Sequence, residues 1–251
     1  MRTIDLNADL GETVDGEPTA DDEAMFALIT SASVAAGGHA GDPCSMRDAV
    51  ARAARFGVAL GAHPSFPDRA GFGRSAMAMT AADLRAAVAG QLADLVAAGA
   101  DLRYVKPHGA LYHVAGADPA AADAVVAAVA DLAARLGRAV PVLGLGAALA
   151  AAAERAGLPF HREAFLDRGY LADGSLVPRG RPGDLLHDAD DVAERALRLA
   201  RHGEVVAVDG TVVRTDAVSL CMHGDTPAAV AMARRVRSIL DRHGVAVRAP
   251  W

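Results

Sequence analysis

Short runs of apolar and β-branched residues alternate along the chain with longer alanine-rich stretches that carry charges at helical spacing. This alternation is typical of a mainly parallel sheet covered by helices. Seven strand cores are predicted, at residues 3–6, 32–35, 58–61, 103–106, 140–143, 161–165 and 217–221. Seven helices are predicted, at residues 21–30, 44–56, 81–98, 119–136, 146–156, 189–201 and 227–243. The pattern therefore predicts an α/β protein built from seven strand–helix units.

Several helix starts carry capping residues. Asp42 and Asp118 each precede a proline, which suits the first position of a helix, and Thr80 with Asp83 forms a capping box. Asp225 also precedes a predicted helix with a nearby proline. We therefore interpret both Asp225 and Asp42 primarily as helix caps rather than as functional residues.

Two segments break the alternation. Residues 168–184, RGYLADGSLVPRGRPGD, are rich in Gly, Pro and Arg, and a loop of this length in a compact domain is usually a lid or a binding loop. The segment VVAVDGTVVRT carries Asp-Gly between β-branched residues, which predicts a β-hairpin before the last strand.

Composition narrows the class of protein. The chain has 251 residues and no linker or repeat, so we expect one domain over residues 1–251. A net charge of −6 argues against a nucleic-acid partner. No apolar run reaches the roughly 20 residues of a membrane span, and no secretory signal pattern is present. Two cysteines lack C-x-x-C spacing, so a cytoplasmic protein without disulfides is expected.

Lysine usage singles out one residue. Of the 25 basic residues only Lys106 is lysine. A lysine ammonium can bind a phosphoryl or carbonyl oxygen as a compact point charge, whereas the planar guanidinium of arginine binds such oxygens differently. Lys106 is therefore a functional candidate, although drift would also leave a single lysine.

Polar side chains collect where the predicted strands end. In parallel α/β proteins ligands bind at the carboxyl ends of the strands. Five of the nine histidines lie in the segments that follow strands, together with Lys106 and three acidic residues. The histidines are His39, His63, His108, His113 and His223, and the acidic residues are Asp9, Glu12 and Asp167.

Some of these residues have the donor types of a metal site. Asp9, His39, His63 and His108 offer one carboxylate and three imidazoles. However, no two of these histidines have the H-x-x-x-H spacing that places both on one face of a helix. A metal site thus depends on the fold bringing them together. Cys221 beside His223 could be a nucleophile, but a buried free cysteine is the more common case.

Motifs for nucleotides and serine nucleophiles are missing. The only lysine lies in VKPHG, so no G-x-x-x-x-G-K-[ST] loop exists, and GLGAAL at Gly144 lacks the third glycine of a dinucleotide fingerprint. There is also no G-x-S-x-G. Any nucleotide would have to bind by another route.

Six segments in order resemble the LamB/YcsF family over residues 4–227. They are IDLNADLGE, SASVAAGGHAGDP, GVALGAHPSFPDRAGFGRS, VKPHGALY, FLDRGYLADGSLVPR and CMHGDTP. The sequence departs from the usual family pattern at Ser33, Ala36, Gly38 and His113, and FLDR replaces the usual F-A-D-R. No cysteine role is possible at Ala36.

The resemblance implies a distorted seven-stranded (β/α) barrel related to glycoside hydrolase and deacetylase barrels. It also implies an ATP-dependent 5-oxoprolinase that opens the lactam of 5-oxo-L-proline to L-glutamate, with B and C subunits completing the enzyme. Lactam opening is unfavourable without activation, and phosphorylating the amide oxygen requires cationic groups that hold the phosphoryl.

From this resemblance we hypothesise roles for individual residues. Lys106 and Arg168 contact phosphoryl or carboxylate oxygens, with Gly109 beside them at the ATP site. Asp9 binds a divalent ion, Mg²⁺ by expectation, or acts as a base, with His39 and His63 as further metal ligands. His63 and His108 orient the lactam or shuttle protons. Glu12, His39 and Asp167 are second choices.

On this hypothesis, Lys106→Ala abolishes ATP-coupled turnover without unfolding the protein. Two alternatives stay open. The chain could be a metal-dependent amide or carbohydrate deacetylase, because an Asp with two His suits a metal-activated water. It could also be a non-catalytic protein that serves only the assembly of the enzyme.

Overall fold

Seven parallel strands close into a barrel in the computed structural model, which describes residues 3–226 and 228–251. The strands are β1 (Thr3–Leu10), β2 (Ser31–Ala35), β3 (Ala59–His63), β4 (Leu102–Val105), β5 (Val142–Gly144), β6 (Phe160–Phe165) and β7 (Ser219–His223). Their order around the barrel follows the chain, and β7 pairs with β1 to close it. The predicted seven-stranded (β/α) barrel is confirmed.

The barrel is irregular at one side. The β3–β4 register shifts between Leu60 and Gly61, and β4 and β5 share only the pair Val105 and Val142. A short strand, Ala246–Val247, adds to the amino-terminal half of β1.

Eight helices surround the strands in the described part of the chain. They are α1 (Asp22–Phe26), α2 (Pro43–Phe56), α3 (Ala81–Ala97), α4 (Gly109–Ala117), α5 (Pro119–Leu136), α6 (Ala147–Arg155), α7 (Ala189–His202) and α8 (Ala229–Arg242). Seven were predicted, although α1 ends four residues early and the predicted start of α8, Pro227, lies outside the described residues. No helix among the described residues is long and apolar enough to cross a bilayer.

Helix α4 was missed because its nine residues, GALYHVAGA, follow a strand directly and lack a side-chain cap. The predicted caps at Asp42, Thr80 and Asp118 are confirmed by hydrogen bonds to the first-turn amides. The predicted cap at Asp225 is wrong. Helix α8 starts after Ala228, and Asp225 instead forms an ion pair with Arg74 at 3.0 Å.

The predicted hairpin is confirmed, and residues 168–184 form a long loop, as expected. Glu204–Val206 and Val212–Arg214 pair as an antiparallel hairpin whose connecting loop contains Asp209 and Gly210. Residues 168–184 form a loop that is held by bridges from Arg168 to Leu185 and from Tyr170 to Leu176.

The lower barrel interior is polar rather than apolar. At its base the buried Asp5 carboxylate accepts hydrogen bonds from the hydroxyls of Thr30, Ser31 and Ser219. One layer higher, the Asn7 amide donates to Ser219 at 2.7 Å. These partners satisfy groups that would be costly to bury alone. The alternation of Asp5, Asn7 and Asp9 in β1 places all three side chains inside the barrel.

An aromatic pair fills the same interior. The Tyr104 hydroxyl lies 3.0 Å from the Ser33 hydroxyl, and its ring stacks on Trp251 with centroids 4.2 Å apart. The Trp251 indole N–H donates to Ser31 at 3.1 Å. Gly61 faces the Tyr104 ring, and a Cβ there would lie 2.3 Å from a ring carbon.

Gly61→Ala is therefore expected to lower the free energy of unfolding by about 1–3 kcal/mol, the usual effect of overfilling a packed core. Urea unfolding measures this loss. Gly90→Ala is the matched control, because Gly90 lies inside α3 with nothing within 4 Å of its Cβ position. That control should gain up to about 1 kcal/mol of helix propensity. Equal stability of Gly61→Ala and the wild type would contradict close packing of Tyr104 on Gly61.

Candidate active site

A pocket of about 360 Å³ opens at the carboxyl ends of the barrel strands. Its floor contains Asp9, Glu12, His63, Lys106 and His108, which come from the segments after β1, β3 and β4. Its walls include the 168–184 loop and His223 at the end of β7. The closed barrel thus brings together side chains from the first and the last strand of the barrel.

Lys106 and Asp9 form a buried ion pair at the centre of the floor. The Lys106 Nζ lies 2.6 Å from Asp9 Oδ1 and 3.1 Å from Asn7 Oδ1, and only 1% of the residue is exposed. Burial alone would raise the pKa of Asp9, but His63 and Lys106 hold that pKa well below its ordinary value. Burial opposes the charge of Lys106 as well, but Asp9 raises its pKa well above the ordinary value. Both groups are charged at neutral pH.

The ammonium has two further neighbours. Glu163 Oε2 lies 3.4 Å from Lys106 Nζ, and Cys221 Sγ lies 3.2 Å from it. Burial raises the pKa of the Cys221 thiol well above its ordinary value, so it stays protonated. The interpretation of Cys221 as a buried free cysteine is confirmed. Because Lys106 is enclosed by protein groups, it has little freedom to reach a phosphoryl group.

Three histidines and Glu12 form a cluster beside this ion pair. His108 Nδ1 lies 3.0 Å from His63 Nε2 and 3.5 Å from Glu12 Oε1. His39 Nε2 lies 3.0 Å from the same Glu12 oxygen, and its ring stacks on His108 with centroids 3.6 Å apart.

Burial sets the protonation of this cluster. It lowers the pKa of His39 and of His108 well below the ordinary value, and the other histidines lower them further. Burial and the nearby Asp9 charge raise the pKa of Glu12 to about 7. The rings of His39 and His108 are thus neutral near pH 7.

His223, at the end of β7, forms a second pair with Asp167, which follows β6. The buried Asp167 carboxylate lies 3.0 Å from His223 Nδ1 and accepts hydrogen bonds from the His223 amide and the Thr226 hydroxyl. Burial opposes protonation, but Asp167 raises the pKa of His223 above its ordinary value. His223 also stacks on Phe165, which fixes the ring plane.

Two arginines of the 168–184 loop line the pocket, and they differ in their partners. The Arg168 guanidinium donates to the Val177 carbonyl at 2.7 Å and to the Asp184 carbonyl at 3.1 Å, so it holds the loop together. Arg179 makes no hydrogen bond or ion pair with the residues that the structure describes. The guanidinium available to a ligand is therefore that of Arg179, which sequence reasoning did not single out.

Gly109 lies on the pocket wall where α4 begins. Its φ of 53° and the Gly73 carbonyl, 2.6 Å from where a Cβ would stand, both require glycine. The backbone therefore requires glycine at position 109 whether or not a cofactor binds there.

The donor groups capable of holding a cation differ from the predicted set. Within the described residues, ligand atoms lie within 4.8 Å of one another in the group Glu12, His63 and His108 and in the group Asp9, Cys221 and His223. The Asp9 and His63 side chains do meet, at 3.3 Å, but His39 belongs to neither group. His39 instead contacts Glu12 through its Nε2 and stacks on the face of the His108 ring.

These features define a (β/α)-barrel protein with a buried cluster of acidic, imidazole and ammonium groups at the end of the barrel where barrel enzymes carry their sites. The chain belongs to the LamB/YcsF family, whose sequence profile matches residues 4–250.

Relatives match this chain over its full length. Proteins named as the A subunit of 5-oxoprolinase, from Streptomyces griseus and Streptomyces coelicolor, are 50% and 51% identical to it, over 98% of this chain and 99% of theirs. The protein of the same name from Methylococcus capsulatus is 47% identical over 99% of this chain and 96% of its own length.

Solved structures agree with the fold. A lactam utilization protein from Thermus thermophilus superposes with a TM-score of 0.90 at 41% identity, covering 98% of this chain and 99% of that chain. A family GH18 chitinase from Chromobacterium violaceum, at 11% identity and a TM-score of 0.50, covers 96% of this chain and 83% of that chain and shares the barrel fold alone.

Proposed function

We propose that this chain is the A subunit of an ATP-dependent 5-oxoprolinase and that its pocket is where the lactam ring of 5-oxo-L-proline is opened. The names of relatives that are about 50% identical over the full length support 5-oxo-L-proline as the substrate. The observation that carries the chemistry is that one pocket holds the Glu12–His63–His108 cluster on its floor and the Asp167–His223 pair on its wall. Amide opening needs groups that place water at the carbonyl carbon and a group that protonates the leaving nitrogen.

The proposed reaction balances with one ATP and two waters. The γ-phosphoryl is transferred to the amide oxygen, and ADP leaves. One water adds to the activated carbon, the ring C–N bond breaks, and the nitrogen takes a proton to become the amine. A second water then releases phosphate from the acyl phosphate, which leaves L-glutamate. Activation is needed because the five-membered lactam is a resonance-stabilised amide.

The residues divide between the two ends of the breaking bond. The Glu12–His63–His108 cluster is the side where the lactam carbonyl and the attacking water are placed. His223 donates a proton to the ring nitrogen, because Asp167 occupies its Nδ1 and leaves Nε2 for the substrate. Asp9 and Lys106 provide a fixed pair of charges beneath both groups.

The substrate carboxylate is assigned to Arg179. We hypothesised this role for Lys106 and Arg168, but their donors are engaged by Asp9 and by loop carbonyls. Arg179 lines the same pocket with its guanidinium unpaired among the described residues. A guanidinium can bind a carboxylate through two parallel hydrogen bonds.

Arg179→Gln is therefore expected to raise KM for 5-oxo-L-proline by about 10- to 100-fold, which corresponds to the loss of a charged hydrogen bond of about 1.5–3 kcal/mol. The value of kcat should change far less. Steady-state kinetics at saturating ATP measure both quantities. Arg181→Gln is the matched control, because Arg181 lies on the same loop but does not line the pocket. An unchanged KM in Arg179→Gln would remove Arg179 from substrate binding.

ATP, Mg²⁺ and the partner B and C subunits belong to the same proposal. The chain has no phosphate-binding loop motif, so nucleotide handling is expected to need the partners. The test is glutamate release from 5-oxo-L-proline by the purified chain, with and without Mg-ATP and with and without the B and C subunits. Release that requires ATP and both partners supports the proposal. Hydrolysis of acetylated sugars with added metal and no ATP would replace it with the deacetylase alternative.

A further inference from the structure

With neutral imidazoles and ionised carboxylates, the hydrogen-bond acceptors of the floor cluster outnumber its donors. His63 Nδ1 lies 2.7 Å from the Lys106 carbonyl oxygen. A carbonyl oxygen can only accept a hydrogen bond, so Nδ1 of His63 must carry the hydrogen. In a neutral ring the other nitrogen, Nε2, then presents a lone pair.

The same reasoning applies to His108, with the nitrogens exchanged. His108 Nε2 lies 2.9 Å from the Phe72 carbonyl oxygen, so the hydrogen is on Nε2 and the lone pair is on Nδ1. The two rings therefore point their lone pairs at each other across 3.0 Å. Two acceptors at this distance repel unless something positive lies against both.

Two carboxylates increase this demand for positive charge. Glu12 Oε1 lies 3.5 Å from His108 Nδ1, and Asp9 Oδ2 lies 3.3 Å from His63 Nε2. All four atoms are acceptors when both carboxylates are ionised and both rings are neutral. His63 is 1% exposed, Glu12 6% and His108 7%, so little water is available to satisfy them.

We propose that Glu12 Oε1, His63 Nε2 and His108 Nδ1 are the ligands of a divalent transition-metal ion at the floor of the pocket. The three atoms lie within 4.8 Å of one another. That span is close to what one ion reaches with bonds of about 2.0–2.2 Å to nitrogen and oxygen. Two imidazoles and one carboxylate suit zinc and its neighbours better than Mg²⁺, which prefers oxygen ligands.

The groups around the three proposed ligand atoms are arranged as they are around known metal sites. Each ligand histidine donates its remaining N–H to a backbone carbonyl, which fixes the tautomer and the ring orientation. His39 Nε2 contacts the ligand oxygen of Glu12 and holds the carboxylate in place. The other group of donors, which contains Asp9 and Cys221, is excluded because the Lys106 ammonium already lies between them.

The proposed ligands are the cluster to which the proposed function assigns the lactam carbonyl and the attacking water, but their assignment as ligands does not rest on that reaction. A bound ion would supply a Lewis acid at the pocket floor, but the ligand assignment rests only on the geometry of the four acceptors. It can be tested without any turnover, so a failure here and a failure of the proposed function can be told apart.

The experiment is titration of the chelator-treated chain with Co²⁺, followed by the visible d–d absorption band, with Zn²⁺ and Mg²⁺ as competitors. One Co²⁺ per chain is expected, displaced by Zn²⁺ and not by Mg²⁺. Reloading with Zn²⁺ should also raise the melting temperature of the wild-type chain.

Glu12→Gln and His108→Gln are each expected to weaken Co²⁺ binding by more than about 100-fold, the most that loss of an outer partner alone usually costs. His113→Gln is the matched control, because His113 lines the same pocket outside the cluster. It should bind Co²⁺ as the wild type does. Circular dichroism checks that each variant is folded.

The proposal fails if the wild-type chain binds no Co²⁺, or if the two ligand variants bind it as tightly as His113→Gln does. It also fails if NMR of the chelator-treated chain shows a proton shared between His63 and His108 that added Zn²⁺ does not displace. In that case a protonated imidazole is the positive group between the two rings.

Discussion

Lys106→Met is expected to lower the free energy of unfolding by about 3–5 kcal/mol and to abolish turnover. Removing one partner of a buried ion pair leaves the other charge uncompensated, and this loss has about that size. Lys106 is 1% exposed and is the cation nearest to both Asp9 and Glu163, at 2.6 Å and 3.4 Å. Urea unfolding followed by circular dichroism measures the loss.

Two controls separate the charge from the side-chain volume. In the double variant Asp9→Asn/Lys106→Met the uncompensated carboxylate at position 9 is removed, so part of the lost stability should return while activity does not. Arg85→Met breaks an exposed ion pair with Asp131 and should cost no more than about 1 kcal/mol. If Lys106→Met were as stable as Arg85→Met, the buried charge network would carry no stability.

This expectation revises the one drawn from the sequence. Lysine usage and the family resemblance suggested that Lys106→Ala would stop turnover without unfolding the chain. The structure places Lys106 at the floor of the pocket, buried inside the barrel, where it stabilises two carboxylates. Loss of activity in a Lys106 variant is therefore interpretable only alongside its stability.

His223→Gln is expected to lower kcat by about 10²- to 10⁴-fold, the usual contribution of a positioned general acid. KM should change little, because the substrate carboxylate is assigned to Arg179. Steady-state kinetics of the complete enzyme measure both parameters. His187→Gln is the matched control, because His187 is exposed and outside the pocket. A kcat within a few-fold of the wild type would remove His223 from the proton transfer.

The pH profile provides a second test of the same residue. Asp167 and Asp9 raise the pKa of His223 above its ordinary value of 6.5, against burial and Arg179. Activity that needs protonated His223 should fall as pH rises through this raised pKa. Asp167→Asn should move that fall to lower pH. A profile that Asp167→Asn leaves in place would contradict the role of Asp167 in holding the proton on His223.

The same pair links stability to pH. A folded-state pKa above the unfolded value means that the native chain binds the proton more tightly. The stabilisation from protonated His223 is thus complete below pH 6.5 and is lost as pH rises through the folded-state pKa.

Local sequence was sufficient for most of the elements. The seven barrel strands and seven of the eight helices found within residues 3–226 and 228–251 follow from apolar periodicity and from caps such as Asp118 and Thr80. Strand β1 extends to Leu10, four residues beyond its predicted end at residue 6, because the polar residues Asn7 and Asp9 resemble the start of a turn. Inside a polar barrel, the alternation of Asp5, Asn7 and Asp9 is itself the strand signal.

The sequence by itself determined the barrel units and the chemical types of the side chains at the strand ends. Asp9, His63, Lys106 and His108 could be named because each follows a strand, and parallel strands end on the same side of a barrel. Only the tertiary structure decided which of these side chains meet. It placed Glu12 rather than His39 within reach of the other donor atoms that could hold a cation, and it turned the guanidinium of Arg168 towards carbonyls of its own loop. The physical reason is that such contacts depend on strand register, ring tautomers and side-chain direction across the barrel, which local sequence does not encode.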